Sequence, residues 1–373
     1  MPPRIQNQLS AVRRSRGVGA ADLARRVGIS RQTIYAIEAG SYVPNTEVAL
    51  HLARELEVTV EELFSLPGQP EQAVEPFAVE LLTTGSAGKG QPVRIGRIGT
   101  TWVSVPVSAA PYYFPESDGV ISRPSRVQGK ADVVAFNGDE TFQKRLILAG
   151  CDPATHLVAR VAEKSGGVEL VSAAASSKLA LRWLKEGKVH IAGSHLEDPA
   201  TGEFNLPIIR RQFAGEDFTV ITFARWEQGW VTAPGNPKQI QKAEDLAGRN
   251  VLFTNREAGS GSRVLLDKLL KDSRVPTAKV RGYDRIAHGH LAAAYTVVSR
   301  EADCCLATRS AAQTFGLDFV PLHSERYDLV MRKETLDLPA AQAFLDVLQR
   351  SALRRMLEAV AGYDTAQTGT VLV

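Results

Sequence analysis

The sequence predicts a multi-domain protein with an all-α N-terminal unit, a small β-rich middle unit and an α/β C-terminal unit. Residues 1–66 consist of short segments with helical periodicity, separated by glycines. A proline- and glycine-rich stretch over 67–90 is followed by strand-like sequence over 91–143. Apolar runs then alternate with amphipathic stretches over 144–373. At roughly 100–200 residues per domain, 373 residues with 44% hydrophobic content are enough for two or three packed cores.

Composition excludes several classes of protein. The charged fraction of 23% is ordinary, which excludes a disordered chain. No apolar run approaches the roughly 20 residues that a membrane helix needs, and the basic N-terminus lacks the apolar core of a secretory signal. Three cysteines form no even disulfide framework. The sequence therefore predicts a cytoplasmic protein with no membrane partner.

The N-terminal unit, residues 1–66, is predicted to be a compact bundle of short helices. Apolar residues recur at intervals of three and four, and Gly17, Gly28 and Gly40 interrupt them. Thr59 and Glu62 stand at the spacing of a capping box, which predicts where the last helix begins.

The next two segments change character. Residues 67–90 are predicted to be a linker with one short helix around Phe77–Leu82, because prolines and glycines stand there among polar residues. Residues 91–143 contain strand-like runs such as VRIGRIGTTWVSVPV and ADVVAF, which predict a small β unit.

The C-terminal unit, residues 144–373, is predicted to be a mostly parallel sheet with helices on both faces. Buried runs such as RLILAG precede amphipathic stretches such as CDPATHLVARVAEK. Ligands of such sheets bind at the carboxyl ends of the strands, beside the helix N-termini, so the loops that follow the strands are the candidate site.

The stretch DLARRVGISRQTIYAIEAG (22–40) has the spacing of a helix-turn-helix motif. Gly28 supplies the turn and Ser30 caps the second helix, whose first turns carry side chains suited to base edges and phosphates. Residues 1–42 add a local positive charge, with seven arginines against two acidic residues. The candidate DNA-contacting residues are Arg13, Arg14, Ser30, Arg31, Gln32, Thr33 and Tyr35.

Residues 5–66, including IEAGSYVPN and LARELEVTVEELF, resemble the Cro/repressor (XRE) class of helix-turn-helix domains. The resemblance implies binding to double-stranded DNA. Gly19 and Ala20 stand where that family usually has a polar cap and a glutamine, which removes a phosphate contact and makes affinity depend more on arginines and on dimerisation. The alternative is a helical protein-interaction domain that keeps the fold without binding DNA.

Three loops of the C-terminal unit carry small polar residues, at 151–153, 175–177 and 259–263. Hydroxyls, backbone N–H groups and positive helix ends that meet in one cleft make an anion site. Any one loop alone is explained better by helix capping, whereas three such loops at one predicted sheet edge favour a pocket. Asp152 disfavours an anion unless its carboxylate is used on its own helix. The candidate ligand-binding residues are Asp152, Ser176, Ser177, His195, Ser260, Gly261, Ser262, Arg263 and Tyr295.

Residues 145–369 resemble the periplasmic-binding-protein superfamily, specifically the PBP-like domain related to molybdate-binding proteins. The matching segments are HIAGSHLEDPATGEFN (190–205), EQGWVTAPGNP (227–237), NREAGSGSRVLLD (255–267), GLDFVPL (316–322), ERYDLV (325–330) and GYDTAQTG (362–369). The resemblance implies two lobes joined by crossing strands, a ligand in the cleft and closure on binding.

Related domains make molybdate or tungstate the leading ligand, held by neutral hydroxyl and amide donors. A small metabolite with a carboxylate or phosphate paired to Arg263 is the alternative, and Arg263 is equally suited to a surface salt bridge. His195 either faces the cleft or bonds within its own loop.

Metal and catalytic sites find little support. His288 and His290 lack a third nearby ligand, so no metal site is predicted. Cys304 and Cys305 lie in a buried-strand pattern and are predicted to be core residues. No protease, P-loop or nucleophile-elbow motif is present, so no catalytic residue, cofactor or enzyme activity is predicted.

Together these predictions describe a one-component transcriptional regulator, a homodimer that binds double-stranded DNA and senses a small ligand. The alternative is a cytoplasmic oxyanion- or metabolite-binding module whose helical head is a scaffold for protein partners.

Overall fold

The structure, a computed structural model, describes residues 5–65, 75–107, 114–136, 142, 145–248 and 250–373. The chain divides into two compact units, Met1–Glu75 and Pro76–Val373. No helix in these described ranges is long and apolar enough to cross a membrane.

The N-terminal unit is a bundle of short helices closed by a two-stranded ladder. The helices are α1 (Leu9–Ser15), α2 (Ala20–Val27), α3 (Arg31–Glu38), α4 (Thr46–Glu55) and α5 (Val60–Leu63), and the strands are β1 (Gln6–Asn7) and β2 (Phe64–Ser65). Leu23, Ile34 and Leu52 are fully buried at its centre, so each helix turns one apolar stripe inward. The predicted capping box of Thr59 and Glu62 is confirmed.

The second unit begins with a closed five-stranded barrel. Its strands are β3 (Phe77–Leu81), β4 (Pro92–Ile98), β5 (Thr101–Pro106), β6 (Gly119–Pro124) and β7 (Lys130–Ala135), in the order β3-β5-β4-β6-β7. The linker prediction for 67–90 is wrong over Phe77–Leu81, where a strand pairs antiparallel with β7 and Val79 and Leu81 are buried in the barrel. The helix predicted there is therefore also wrong. Residues 67–74 of that linker lie outside the described residues.

The barrel packs on the rest of its unit through a shared core and a buried ionic cluster. Val103 and Val105 share one apolar cluster with Ile147. Beside it, the Arg145 side chain, 5% exposed, donates two hydrogen bonds to Asp118, at 2.6 and 3.0 Å, and one to Glu169 at 2.5 Å. Because Asp118 lies just before β6 and Arg145 lies beyond the barrel, the arginine joins the two parts.

The remaining residues form one eight-stranded sheet with helices on both faces. Its strands are β8 (Leu146–Gly150), β9 (Leu170–Ala174), β10 (Ile191–Ser194), β11 (Phe218–Thr232), β12 (Phe253–Arg256), β13 (Ile286–Ala287), β14 (Cys304–Thr308) and β15 (Asp318–Arg332). The helices are α6 (Thr155–Gly166), α7 (Ser177–Lys185), α8 (Leu206–Gln212), α9 (Gly261–Asp272), α10 (His290–Val298), α11 (Arg309–Thr314), α12 (Pro339–Gln349) and α13 (Ser351–Ala361).

The strand order β13-β12-β14-β11-β15-β10-β8-β9 divides this sheet into two lobes. Lobe 1 contains β8, β9 and β10, whereas lobe 2 contains β12, β13 and β14. The strands β11 and β15, each 15 residues long, pair antiparallel along their length and run between the lobes. The predicted fold class, with its helical, β-rich and two-lobed α/β parts, is confirmed.

Candidate functional site

Helices α2 and α3 form the helix-turn-helix. Gly28 ends α2 with φ of 78°, a left-handed conformation that glycine adopts without steric cost. The N–H of Ile29 donates to the carbonyl of Ala24 at 3.0 Å, which closes the turn. Ser30 caps α3, because its Oγ accepts a 3.0 Å hydrogen bond from the Thr33 N–H.

The outer face of α3 carries most of the predicted DNA-contacting side chains. Arg31, Gln32 and Tyr35 are exposed. The Arg31 guanidinium donates to the Tyr35 hydroxyl at 2.8 Å and lies over its ring at 5.2 Å from the centroid, so the two side chains support each other. Arg14 is exposed on α1, and the Thr33 hydroxyl lies 2.8 Å from that of Ser30.

Arg13 does not belong to this exposed set. Its side chain is 10% exposed and donates to the two carboxylate oxygens of Glu38 at 2.6 and 3.1 Å and to the carbonyl of Val18 at 2.9 Å. The hydrogen bond to Glu38 raises the pKa of Arg13 above its usual value. The prediction that Arg13 contacts DNA is therefore corrected, since its donors are already used to tie α1 to α3.

Replacing Arg13 by alanine is expected to destabilise the N-terminal unit by about 1.5–3 kcal/mol, the range for lost hydrogen bonds to a charged group. The measurement is urea unfolding of the full chain, followed by the loss of helical signal. Arg14→Ala, which removes an exposed arginine one position along, is the matched control and is expected to change stability by less than about 0.5 kcal/mol. Equal stability of the two variants would contradict the structural role of Arg13.

A cavity of about 820 Å³ lies between the two lobes. The residues that line it include those just before four helices: Asp152 before α6, Ser176 before α7, Gly259 before α9 and Gly289 before α10. Helix N-termini attract negative charge through their free N–H groups. Barrel residues complete the wall, namely Leu82, Thr83, Thr84, Val105 and Pro106.

Charged groups of both signs line the cavity. Lys178 and Arg182 on α7 are exposed to it, and the acidic residues are Asp152 and Glu257. Burial raises the pKa of Asp152 to about 7, although a hydrogen bond from the Ala154 N–H favours the carboxylate. A carboxyl group with this pKa repels an anion less than an ordinary aspartate does.

The predicted serines occupy different places around the cavity. Ser176 lines it. Ser177 and Ser260 are fully buried and already bonded, since the Ser177 Oγ accepts from the His195 N–H at 3.3 Å and the Ser260 Oγ donates to the Glu257 carbonyl at 2.8 Å. The Ser262 hydroxyl is buried and has no hydrogen-bond partner among the described residues.

Gly261 lies against His195, where a Cβ would come within 2.5 Å of the imidazole ring. The first residue of α9 must therefore be glycine for the His195 ring to keep this position.

Arg263 and Tyr295 are not among the described residues that line the cavity. The Arg263 guanidinium pairs with Asp267 at 3.3 Å and lies 4.0 Å from the ring centroid of Tyr283. Of the two roles considered for Arg263, ligand pairing and a salt bridge, the structure contains the salt bridge. The ring of Tyr295 is 56% exposed and packs edge-on against Phe315.

A buried polar cluster that the sequence did not predict lies behind the cavity. The His195 Nδ1 is 2.7 Å from Glu325 Oε2, and its Nε2 is 3.3 Å from the Cys151 Sγ. Burial alone lowers the pKa of His195, but the charges of Cys151 and Glu325 outweigh it and raise the pKa to about 10. His195 is not among the described residues that line the cavity, and its ring is held by Cys151 and Glu325 rather than by its own loop.

Two further buried groups complete this cluster. His290 has no hydrogen-bond partner for either ring nitrogen in the described ranges, and burial lowers its pKa well below the usual value. Arg256, 1% exposed, donates two hydrogen bonds of 2.8 Å to Glu257. The members of the cluster come from different strands, loops and a helix that are far apart along the chain, so no local motif marks it.

Two family profiles match the chain. One, described as a PBP superfamily domain, matches residues 158–349, and the other, described as a helix-turn-helix domain, matches residues 7–69. The protein YvgK of Bacillus subtilis is 38% identical over 188 residues, which is 50% of this chain and 60% of YvgK. The HTH-type transcriptional regulator MJ0272 of Methanocaldococcus jannaschii is 38% identical over 60 residues, which is 16% of this chain and 91% of that protein.

Solved structures of binding proteins also align with the chain. A putative phosphate ABC transporter substrate-binding protein from Clostridium perfringens aligns with a TM-score of 0.45 and 14% identity over 59% of this chain and 98% of its own. The tungstate ABC transporter from Geobacter sulfurreducens aligns with a TM-score of 0.43 and 16% identity over 58% of this chain and 98% of its own.

Proposed function

The chain belongs to the PBP-like domain family of the PBP superfamily and also carries a helix-turn-helix domain, and from this pairing we propose that it is a one-component transcriptional regulator. In this proposal α3 binds operator DNA and the cleft between the lobes binds a small anion. Molybdate and tungstate are the first candidates, and an organic acid or phosphate ester is the alternative. The role is a binding role in the cytoplasm, without a catalytic step.

One observation carries the sensor part of the proposal: a cavity of about 820 Å³ lies between two lobes whose sheet, among the described strands, continues from one to the other through β11 and β15. A ligand that contacts both lobes binds the closed arrangement more tightly than the open one. Such differential affinity is what a ligand needs to shift a conformational equilibrium. The cavity is within the range of volumes that hold small organic ligands, so its size keeps the organic anion as an alternative.

The anionic character of the ligand rests on the groups that face the cavity. Four helices begin beside it, and Lys178 and Arg182 add two positive charges. The raised pKa of Asp152 reduces the opposing negative charge.

Closure is proposed to change the separation of the two heads of a homodimer on DNA. Half-sites lie about 34 Å apart for each helical turn, so a small rotation of one head changes how well both recognition helices fit. The barrel contributes to the cavity wall, so in this proposal a ligand in the cavity lies against the barrel as well as against the two lobes.

The test combines ligand binding with DNA binding by the full chain. Thermal unfolding of the full chain is measured in the presence of molybdate, tungstate, sulfate, phosphate or citrate. A ligand present at 100 times its Kd stabilises the native state by about 2.7 kcal/mol. Lys178→Ala is expected to reduce the effect, whereas Lys164→Ala, which removes an exposed lysine of α6 outside the cavity lining, keeps it.

The same anion is then added to the chain bound to DNA selected from a random pool. A change in DNA affinity supports the regulator. Stabilisation by an anion without any specific DNA binding would instead support the binding module with a scaffolding head.

A further inference from the structure

Three side chains with metal-ligating atoms meet at the inner end of the cleft. The candidate ligand atoms of Cys151, His195 and His290 all lie within 4.8 Å of one another. The Cys151 Sγ and the His195 Nε2 are 3.3 Å apart, and the ring centroids of His195 and His290 are 5.8 Å apart. One thiolate and two imidazoles are a donor set that Zn²⁺ and similar ions prefer.

The orientation of His195 is fixed in the way that metal-binding histidines usually are. Its Nδ1 lies 2.7 Å from Glu325, so its Nε2 is directed at Cys151. Glu325 is itself held by the indole N–H of Trp226 at 3.3 Å and by the amide of Gln228. A carboxylate behind the imidazole selects its tautomer and increases its basicity toward a metal ion.

His290 supplies an independent observation. The side chain is 1% exposed, and neither ring nitrogen has a hydrogen-bond partner within the described part of the chain. A buried polar atom without a hydrogen-bond partner destabilises the folded state. A metal ion bound to one ring nitrogen removes that destabilisation at one of the two atoms.

Acidic groups stand beside the three candidate ligands. The Glu325 carboxylate bonds His195 directly, and Arg256 is paired with Glu257 through two hydrogen bonds of 2.8 Å. A thiol and imidazoles bind a metal ion in their deprotonated forms, so binding releases the protons that they carry without it.

We propose that Cys151, His195 and His290 form a binding site for a divalent transition-metal ion, with Zn²⁺ as the reference ion. Cys151 and His195 follow strands of lobe 1, whereas His290 begins α10 in lobe 2, so the ion joins the two lobes. Cys151 and His290 line the cavity, which leaves a fourth coordination position open toward it. The site goes beyond the proposed function, because it requires neither DNA nor an anion.

The test is a titration of the metal-free full chain with Zn²⁺ and with Co²⁺, in the absence of DNA and oxyanions. We expect one ion per chain, and with Co²⁺ a sulfur-to-metal charge-transfer band together with the visible bands of tetrahedral cobalt. Cys151→Ser is expected to lose the charge-transfer band. Glu325→Gln removes the carboxylate behind His195 and is expected to lower Zn²⁺ affinity by roughly 10–100-fold. His290→Ala removes a ligand itself and is expected to lower Zn²⁺ affinity further.

His288→Ala is the matched control, since His288 lines the same cavity, is exposed and stands two positions before His290. It is expected to bind Zn²⁺ as the unchanged chain does. Absence of metal uptake, or equal uptake by the Cys151→Ser, His290→Ala and unchanged chains, would overturn the site.

A measurement without substitution covers the case of a variant that fails to fold. Zn²⁺ is expected to protect Cys151 from alkylation by iodoacetamide in the unchanged chain, because Cys304 and Cys305 are fully buried and do not compete. Alkylation of Cys151 at the same rate with and without Zn²⁺ would contradict the proposal. If no anion of the thermal-unfolding panel stabilises the chain, the anion proposal fails, but the expected protection of Cys151 by Zn²⁺ is unchanged.

Discussion

Replacing Arg31 and Gln32 together by alanine is expected to abolish specific operator binding. Both side chains are exposed on the first turn of α3, and a good contact to a base edge contributes about 1–3 kcal/mol of discrimination. Loss of both contacts is therefore expected to weaken specific binding by roughly 30-fold or more. The measurement is fluorescence anisotropy of labelled DNA against the full chain at fixed salt, because phosphate contacts make affinity strongly salt-dependent.

The control for this double substitution is Arg54→Ala, which removes an exposed arginine from α4 of the same unit, outside the helix-turn-helix. It is expected to leave the preference for operator over random DNA unchanged. The anion and Zn²⁺ responses of the C-terminal unit are expected to remain in both variants. If the Arg31 and Gln32 variant still prefers its operator, α3 is not the helix that reads the bases.

The helix-turn-helix could be predicted because its determinants are local. Gly28, Ser30, Thr59 and Glu62 act within one turn of their own positions, through backbone conformation and capping. Arg13 shows where such reasoning ends. Its charge is visible in the sequence, but its burial depends on Glu38, which is 25 residues away along the chain.

The strand over Phe77–Leu81 was missed for a similar reason. Five residues are too few to separate a strand from one helical turn by periodicity. Their hydrogen bonds go to Lys130–Val133, about fifty positions later in the barrel. Only the tertiary fold selects between the two conformations.

The cleft could be predicted as a region but not as a set of contacts. Ser176 and Asp152 line the cavity as expected from loops that follow strands. The partnership of His195 with Glu325 spans 130 residues and joins a strand end of lobe 1 to the long strand β15. No spacing rule predicts such a pair. The proposed partners of His290, Cys151 and His195, are likewise far from it along the chain, so the sequence around His288 and His290 gave no sign of them.

Replacing Arg145 by alanine is expected to destabilise the second unit by about 3–5 kcal/mol, the usual cost of removing one partner from a buried ion pair. The guanidinium bonds Asp118, Glu169 and the carbonyl of Ile95. Asp118 is itself 6% exposed, so it stays buried with Arg94 as its one remaining cation among the described residues. The measurement is the urea midpoint of the full chain, together with the rate of proteolysis within the barrel.

Arg145→Ala is also expected to disturb the ligand cavity. The barrel that Arg145 holds in place supplies the part of the cavity wall formed by Leu82, Val105 and their neighbours. Anion affinity should therefore fall in Arg145→Ala, although Arg145 is not among the described residues that line the cavity. Arg123→Ala is the matched control: its guanidinium is 83% exposed, 3.7 Å from Asp132, and is expected to contribute less than about 1 kcal/mol. Equal stability of the two variants would show that apolar packing alone holds the barrel against lobe 1, and the ionic cluster would then serve only to set its orientation.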